Sequence, residues 1–124
     1  MPPLMVAEAD VVTAALLCLA MTVQREAGGE PAAVQAAVVH VIRNRSTTRH
    51  KPVCRVTRAR RQFQSIRRRP RPDIIQTVRR AWWAPDKTHG ATHFHDPREY
   101  PGWAKKMHKT ASIGRLRFYR EKSQ

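Results

Sequence analysis

Arg25-Glu26-Ala27-Gly28-Gly29-Glu30-Pro31 is the stretch on which the reading of this chain turns. Two adjacent glycines end a helix, because glycine adopts backbone conformations that other residues avoid. Pro31 can open the next helix at its first position, where no N–H is required. Upstream, Val12, Leu16, Leu19 and Val23 recur at helical spacing, which predicts a helix over residues 9–26 with Glu8 or Asp10 favouring its start. Downstream, Val34, Val38, Val41 and Ile42 form a second apolar stripe over residues 31–45, and Ala33, Ala36 and Ala37 let a neighbour approach closely. Two apolar helices joined by a two-glycine turn make an αα-hairpin with Glu26 near its apex.

Glu26 follows Val23 by three residues on the same stripe, so it is expected against the core face. Partial burial and the negative end of the helix dipole both disfavour an ionised carboxylate there. A carboxyl biased toward its protonated form suits a general acid. A solvated last-turn residue beside Arg25 or Arg43 satisfies the same pattern, and the stripe alone leaves both readings open. Glu30, before a proline, reads by itself as a charged loop residue at a helix start.

Further along, residues 1–8 read as flexible, residues 46–52 as a loop and residues 53–59 as a short helical turn. Pro70 and Pro72 break the chain, and Asp73 is placed to cap a third helix ending near residue 84. Residues 86–102 are rich in turn formers, and two short strands are predicted at 91–94 and 116–119. No internal repeat is visible. The expected fold is one mainly α domain over residues 1–124, with a helical hairpin and at most a small sheet, so that α+β remains open.

The charge is extreme. There are 24 Lys plus Arg against 9 Asp plus Glu, a net +15, and residues 43–80 hold fourteen bases and one acid, Asp73. Such a field attracts polyanions, whether nucleic acid or an anionic cell envelope. Recognition-helix patterns, zinc-finger spacings and stacking motifs are absent, which argues against specific nucleic-acid binding. Cys18 lies in an apolar helix and Cys54 follows Pro52-Val53; neither belongs to a CxxC pair, and both are expected to be reduced. The apolar run at 11–23 is too short for a membrane span and is preceded by Glu8 and Asp10 instead of the bases of a signal peptide.

A second polar cluster is Thr88-His89-Gly90-Ala91-Thr92-His93-Phe94-His95-Asp96-Pro97. On a strand, His93 and His95 share one face and Phe94 takes the other. A zinc site from His89, His93, His95 and Asp96 has the right atoms but lacks HExxH or paired-cysteine spacing. A nuclease base is a second reading. The third is a sugar-binding cleft in which histidines hydrogen-bond and Trp82, Trp83, Tyr100 or Trp103 stack on rings, although Trp82 suits the core better. In Gln62-Phe63 the aromatic is expected inside and the amide toward the cleft.

Taken in order, these residues resemble the cell wall hydrolase family typified by the spore-cortex-lytic enzymes, which phage and bacterial lysis proteins share. The resemblance spans about residues 16–119 and rests on Glu26-Ala27-Gly28-Gly29-Glu30-Pro31, Gln35-Ala36-Ala37-Val38, Val41-Ile42-Arg43-Asn44-Arg45, Gln62-Phe63, Gly90-Ala91-Thr92-His93-Phe94-His95, and Ile113-Gly114 with Phe118-Tyr119. It implies a lysozyme-like fold that cleaves peptidoglycan glycan strands between N-acetylmuramic acid and N-acetylglucosamine, commonly as a lytic transglycosylase leaving 1,6-anhydromuramyl ends. Glu26 takes the place of the family's catalytic acid. Glu30, Gln35, Gln62, Phe63, His93, His95, Tyr100 and Trp103 become supporting or substrate-binding candidates. The family pattern carries arginine where Gly28 stands, which loosens the turn or removes a support for Glu30.

No metal or other cofactor is expected. A hydrolytic muramidase or glucosaminidase outcome is the alternative, with Glu30, Asp86, Asp96 or Glu99 as the second carboxylate. A basic nucleic-acid-binding protein is the rival from another class. The expected partners are peptidoglycan strands and anionic envelope polymers or lipopolysaccharide. The expected setting is a monomer made in the cytoplasm and acting on the wall after release or export by another factor.

Overall fold

The computed structural model describes residues 4–57 and 69–122, with side chains from residue 14 onward. Its elements in order are α1 (Leu4–Ala27), α2 (Ala32–Arg49), α3 (Val53–Thr57), α4 (Pro72–Trp83), β1 (His93–His95), a short 3-10 helix (Gly102–Lys106), β2 (Met107–Ile113) and β3 (Leu116–Glu121). Helices dominate, beside one three-stranded antiparallel sheet of order β1-β3-β2. The expected architecture, mainly helical with a hairpin and a small sheet, is the observed one.

Several boundaries differ from expectation. α1 starts at Leu4, inside the stretch expected to be flexible. α2 runs on to Arg49, through residues expected as loop, and stops where His50 takes a left-handed conformation (φ 53°). α3 agrees with the expected helical turn. Asp73 sits in the first turn of α4 instead of capping it; the cap position is Arg71, which pairs with Asp73 at 3.2 Å. β2 lies outside the two strands expected: Lys109 interrupts the apolar alternation of Met107, Ala111 and Ile113, and the segment becomes a strand by pairing along β3.

α2 is the centre of the molecule, packed by α1, α3, α4, β1 and β2. Val34, Ala37, Val38, Val39, His40, Val41 and Ile42 are all buried, so it is enclosed on nearly every side instead of carrying one stripe. Ala33, expected to admit a close neighbour, is exposed. Leu19, Val23 and Ala27 of α1, Ile74 and Val78 of α4, and Phe118 of β3 complete the core.

A disulfide joins Cys18 to Cys54. This overturns the expectation of two free thiols. α1 packs against α3, and the Cα atoms of residues 36 apart in sequence come within 5.3 Å, inside the range a disulfide spans. Among the described residues no helix is long and apolar enough to cross a membrane.

Candidate active site

The two glycines end α1 as expected. The N–H of Gly28 bonds the Gln24 carbonyl at 3.0 Å, and that of Glu30 the Ala27 carbonyl at 3.0 Å. A Cβ at Gly28 would stand 2.3 Å from the Gln24 carbonyl oxygen, so this backbone path admits no side chain. Arg71, from beyond the helical hairpin, donates to the Gly28 carbonyl at 2.7 Å, and its own N–H bonds the Gln24 side chain at 2.7 Å.

Glu26 does not face the core. Its side chain is 38% exposed and meets Arg25 at 3.1 Å. α1 is buried on every side over residues 18–23, and Glu26 lies beyond that enclosed segment, in the last turn, where only Ala27 is buried. The burial argument for a protonated carboxyl is therefore not met. The carboxylate instead borders an open cleft of about 520 Å³, lined by residues 24–30 on one side and by Phe94, His95, Asp96, Arg98, Glu99, Pro101, Trp103, Arg115 and Leu116 on the other.

Two groups hold the turn below Glu26. Gln35 is buried, and its amide donates to the carbonyls of Ala27 at 3.2 Å and Glu30 at 3.0 Å. Its amide thus lies inside the hairpin, bonded to the turn at two points. Glu30 pairs with Arg115 at 3.5 Å. Arg115 follows Gly114, whose φ of 57° is the left-handed region and whose missing Cβ would lie 2.5 Å from Val34 Cγ2. Glycine there lets the β2–β3 turn press on the start of α2 and brings Arg115 to the hairpin. Arg115 also reaches Asp96 at 3.8 Å, and Asp96 pairs with Arg98 at 2.9 Å. The hydrogen bonds from the Arg98 side chain and N–H hold the Asp96 carboxyl down to about 2.

β1 follows period-two alternation only in part: Phe94 packs on the core yet also lines the cleft, and of the two histidines only His95 lines it. Phe94 packs toward the core with its ring 6.0 Å from Phe118. His93 and His95 lie on the other face, 5.1 Å and 5.8 Å from Trp103 between ring centroids. His95 is buried; its Nδ1 donates to the Asp96 carbonyl at 2.8 Å and its Nε2 meets the Tyr119 hydroxyl at 2.9 Å. Both nitrogens are engaged within the protein, so its ring lines the cleft but its polar atoms are not offered to substrate. His93 turns its Nδ1 to Thr92 Oγ1 at 2.9 Å. Burial, then Arg45 and Arg49, lower its pKa. Among the described residues no three His, Cys, Asp or Glu side chains converge as a metal site would need. Tyr100 is largely exposed and stands edge-on to His95, while Trp103 lines the cleft. Trp82 packs on the core and Trp83 is 82% exposed, far from any stacking role in the cleft lining. Gln62 and Phe63 lie outside the described residues.

A network not anticipated from the sequence fastens α2 to the loop before β1. Arg43 Nη1 donates to the carbonyls of Trp82 and Ala84 at 2.6 and 2.9 Å, closing the end of α4. Asn44 donates to Asp86 and to the Ala91 carbonyl, each at 2.9 Å, and Arg45 donates to the Thr92 carbonyl. His40 Nε2 bonds the Ala81 carbonyl at 3.0 Å and its Nδ1 accepts from the Lys87 N–H at 3.3 Å. Asp86, although burial opposes its charge, is held down to about 2 by Thr88, Asn44 and the backbone of Thr88 and Gly90. The only sequence signal was the polar triplet Arg43-Asn44-Arg45 and a histidine on an otherwise apolar helix.

Residues 29–119 match the family described as Cell Wall Hydrolase. The chain belongs to the cell wall hydrolase family. As a member it is a peptidoglycan-degrading enzyme. The family match takes in Glu30 and begins just after Glu26. The whole fold is similar to the catalytic domain of the Bacillus cereus SleB protein, with TM-score 0.71 and 27% identity over 86% of this chain and 89% of that one. It is similar also to the catalytic domain of SleB from Bacillus anthracis, described as a germination-specific lytic transglycosylase, with TM-score 0.70 and 25% identity over 86% and 93%. No curated protein matches the chain. The cell wall hydrolase membership agrees with the resemblance first carried by the hairpin and by the His93-Phe94-His95 strand.

Proposed function

We propose that this chain cleaves the glycan backbone of peptidoglycan as a lytic transglycosylase, with Glu26 as its acid and then its base. Glu26 protonates the glycosidic oxygen between N-acetylmuramic acid and N-acetylglucosamine as the C1–O bond breaks. The resulting carboxylate takes the proton of the muramyl 6-hydroxyl, whose oxygen closes on C1 to give a 1,6-anhydro end. No water enters, and the attacking group is already tethered to the reacting ring.

The observation that carries this reading is the ion-paired run Glu30–Arg115–Asp96–Arg98 across the cleft. Hydrolysis requires a second carboxylate free to activate water or attack C1. Glu30 and Asp96 are both tied to arginine. Asp86 is fastened into the α2 network and does not line the cleft. Glu99 alone of the four candidates lines the cleft without an ion pair among the described residues. The likeness to a neighbour described as a lytic transglycosylase points the same way.

Mass spectrometry of fragments released from a defined wall tests the reading. Anhydromuramyl ends, lighter by one water, are expected, and Glu99→Gln should leave their yield intact. Reducing ends throughout, lost in Glu99→Gln, would replace the lyase with a hydrolase. The +15 charge supports accumulation on anionic envelope polymers, weakening as salt rises. The same reading has the protein act on the wall after release or export by another factor.

A further inference from the structure

A second, smaller recess lies beside the Glu26 cleft. It is about 150 Å³ and is lined by Thr48 and Arg49 of α2, Gly90 and Thr92 of the loop before β1, His93, and Arg120 and Glu121 of β3. That is room for the end of an amino-acid unit. Trp103 joins the two cavities: its ring touches His93, which lines the recess, and itself lines the cleft. Neither Arg49 nor Arg120 lies within 4.0 Å of a carboxylate among the described residues. This contrasts with the cleft, where Arg25, Arg98 and Arg115 are all paired. Two uncommitted guanidinium groups at one concavity make a place for a planar anion. Glu121 on the same rim, with the hydroxyls of Thr48 and Thr92, suits an amine or amide N–H.

We propose that this recess is a subsite for the peptide stem of the substrate, with Arg49 and Arg120 taking a stem carboxylate and Glu121 a neighbouring amine or amide while the glycan occupies the Glu26 cleft. It rests on the glycan-cleaving function. A carboxylate flanked by a nitrogen donor is amino-acid chemistry; a phosphodiester polymer would fit the arginines but be repelled by Glu121. The stem leaves the muramyl ring sideways from the glycan, so a pocket beside the cleft, past one tryptophan, is where it would lie. The recess thereby makes substrate choice depend on peptide substitution.

The test compares KM on glycan strands bearing intact stems with KM on strands from which an amidase has removed them. A charge-assisted pair is worth about 1.5–3 kcal/mol, so KM should be about tenfold lower or more with stems present. In Arg49→Gln/Arg120→Gln that ratio should fall to near one, with circular dichroism unchanged, since both side chains reach solvent. Glu121→Gln should reduce the ratio partially. Equal KM values for both strands in the unmodified enzyme would overturn the inference while wall cleavage stands. So would a preference that follows wall phosphodiester polymers instead of stems. Cleavage of neither strand would remove the function on which the inference rests.

Discussion

The buried amide of Gln35 donates to the Glu30 carbonyl at 3.0 Å, and so fixes the chain that turns from Glu26 to Glu30 from inside the hairpin. The same amide meets the Ala27 carbonyl, which leaves the turn held by one side chain at two points. Glu26 stands at the end of α1 where this turn begins, paired with Arg25 and within electrostatic reach of Arg45.

Gln35→Leu keeps the volume and removes both donors. Two backbone carbonyls then lose their partners, and a loss of about 1–3 kcal/mol in unfolding free energy is expected. Because the turn carries Glu26, kcat should fall more than KM rises. Urea unfolding with steady-state kinetics on purified walls checks both, and a wild-type kcat in a destabilised protein would show that the turn does not position the acid.

Glu26→Gln should fold normally and lose about 10²-fold or more in wall cleavage, because the amide cannot donate and then accept the proton. Glu30→Gln should lose less, acting through its pair with Arg115. Turbidity loss of cell walls measures both, and the reverse ranking would transfer the acid role to Glu30.

The disulfide closes a loop between residues 36 apart. Loop-closure entropy for that length corresponds to roughly 3–4 kcal/mol. Reductant, or Cys18→Ala/Cys54→Ala, should lower the thermal midpoint by many degrees, whereas cleavage at a temperature well below it should persist. An unchanged midpoint under reductant would mean that α1 and α3 are held by packing alone.

His40 is 1% exposed and neutral, and burial lowers its pKa from 6.5. The unfolded chain therefore binds more protons, so this contribution to stability is complete above pH 6.5 and is lost as pH falls toward the folded value. His93, lowered chiefly by burial, shares that window. Asp86, lowered from 3.8 to about 2, adds a second loss that begins near pH 4 and runs through about 2. Unfolding free energy should hence decline in two stages on acidification. His40→Gln should flatten the upper stage in part, and an upper stage of the same depth in that variant would remove His40 from the explanation.

The helical hairpin and α4 were legible in the sequence. Helical periodicity, glycine and proline signals and net charge are properties of residues close in the chain or of the chain as a whole. So, in part, was the alternation in His93-Phe94-His95. Tertiary structure alone decided the rest. It left Glu26 exposed, because packing encloses α1 over residues 18–23 and lets its last turn reach the surface. It made a strand of Met107–Ile113, whose alternation is interrupted at Lys109 and which is shaped by its pairing with β3. It joined Cys18 to Cys54, and through Arg115 it tied Glu30 to Asp96. Each of these relations links residues on different elements, and their meeting depends on how α1, α2 and the sheet pack together, which no local pattern contains.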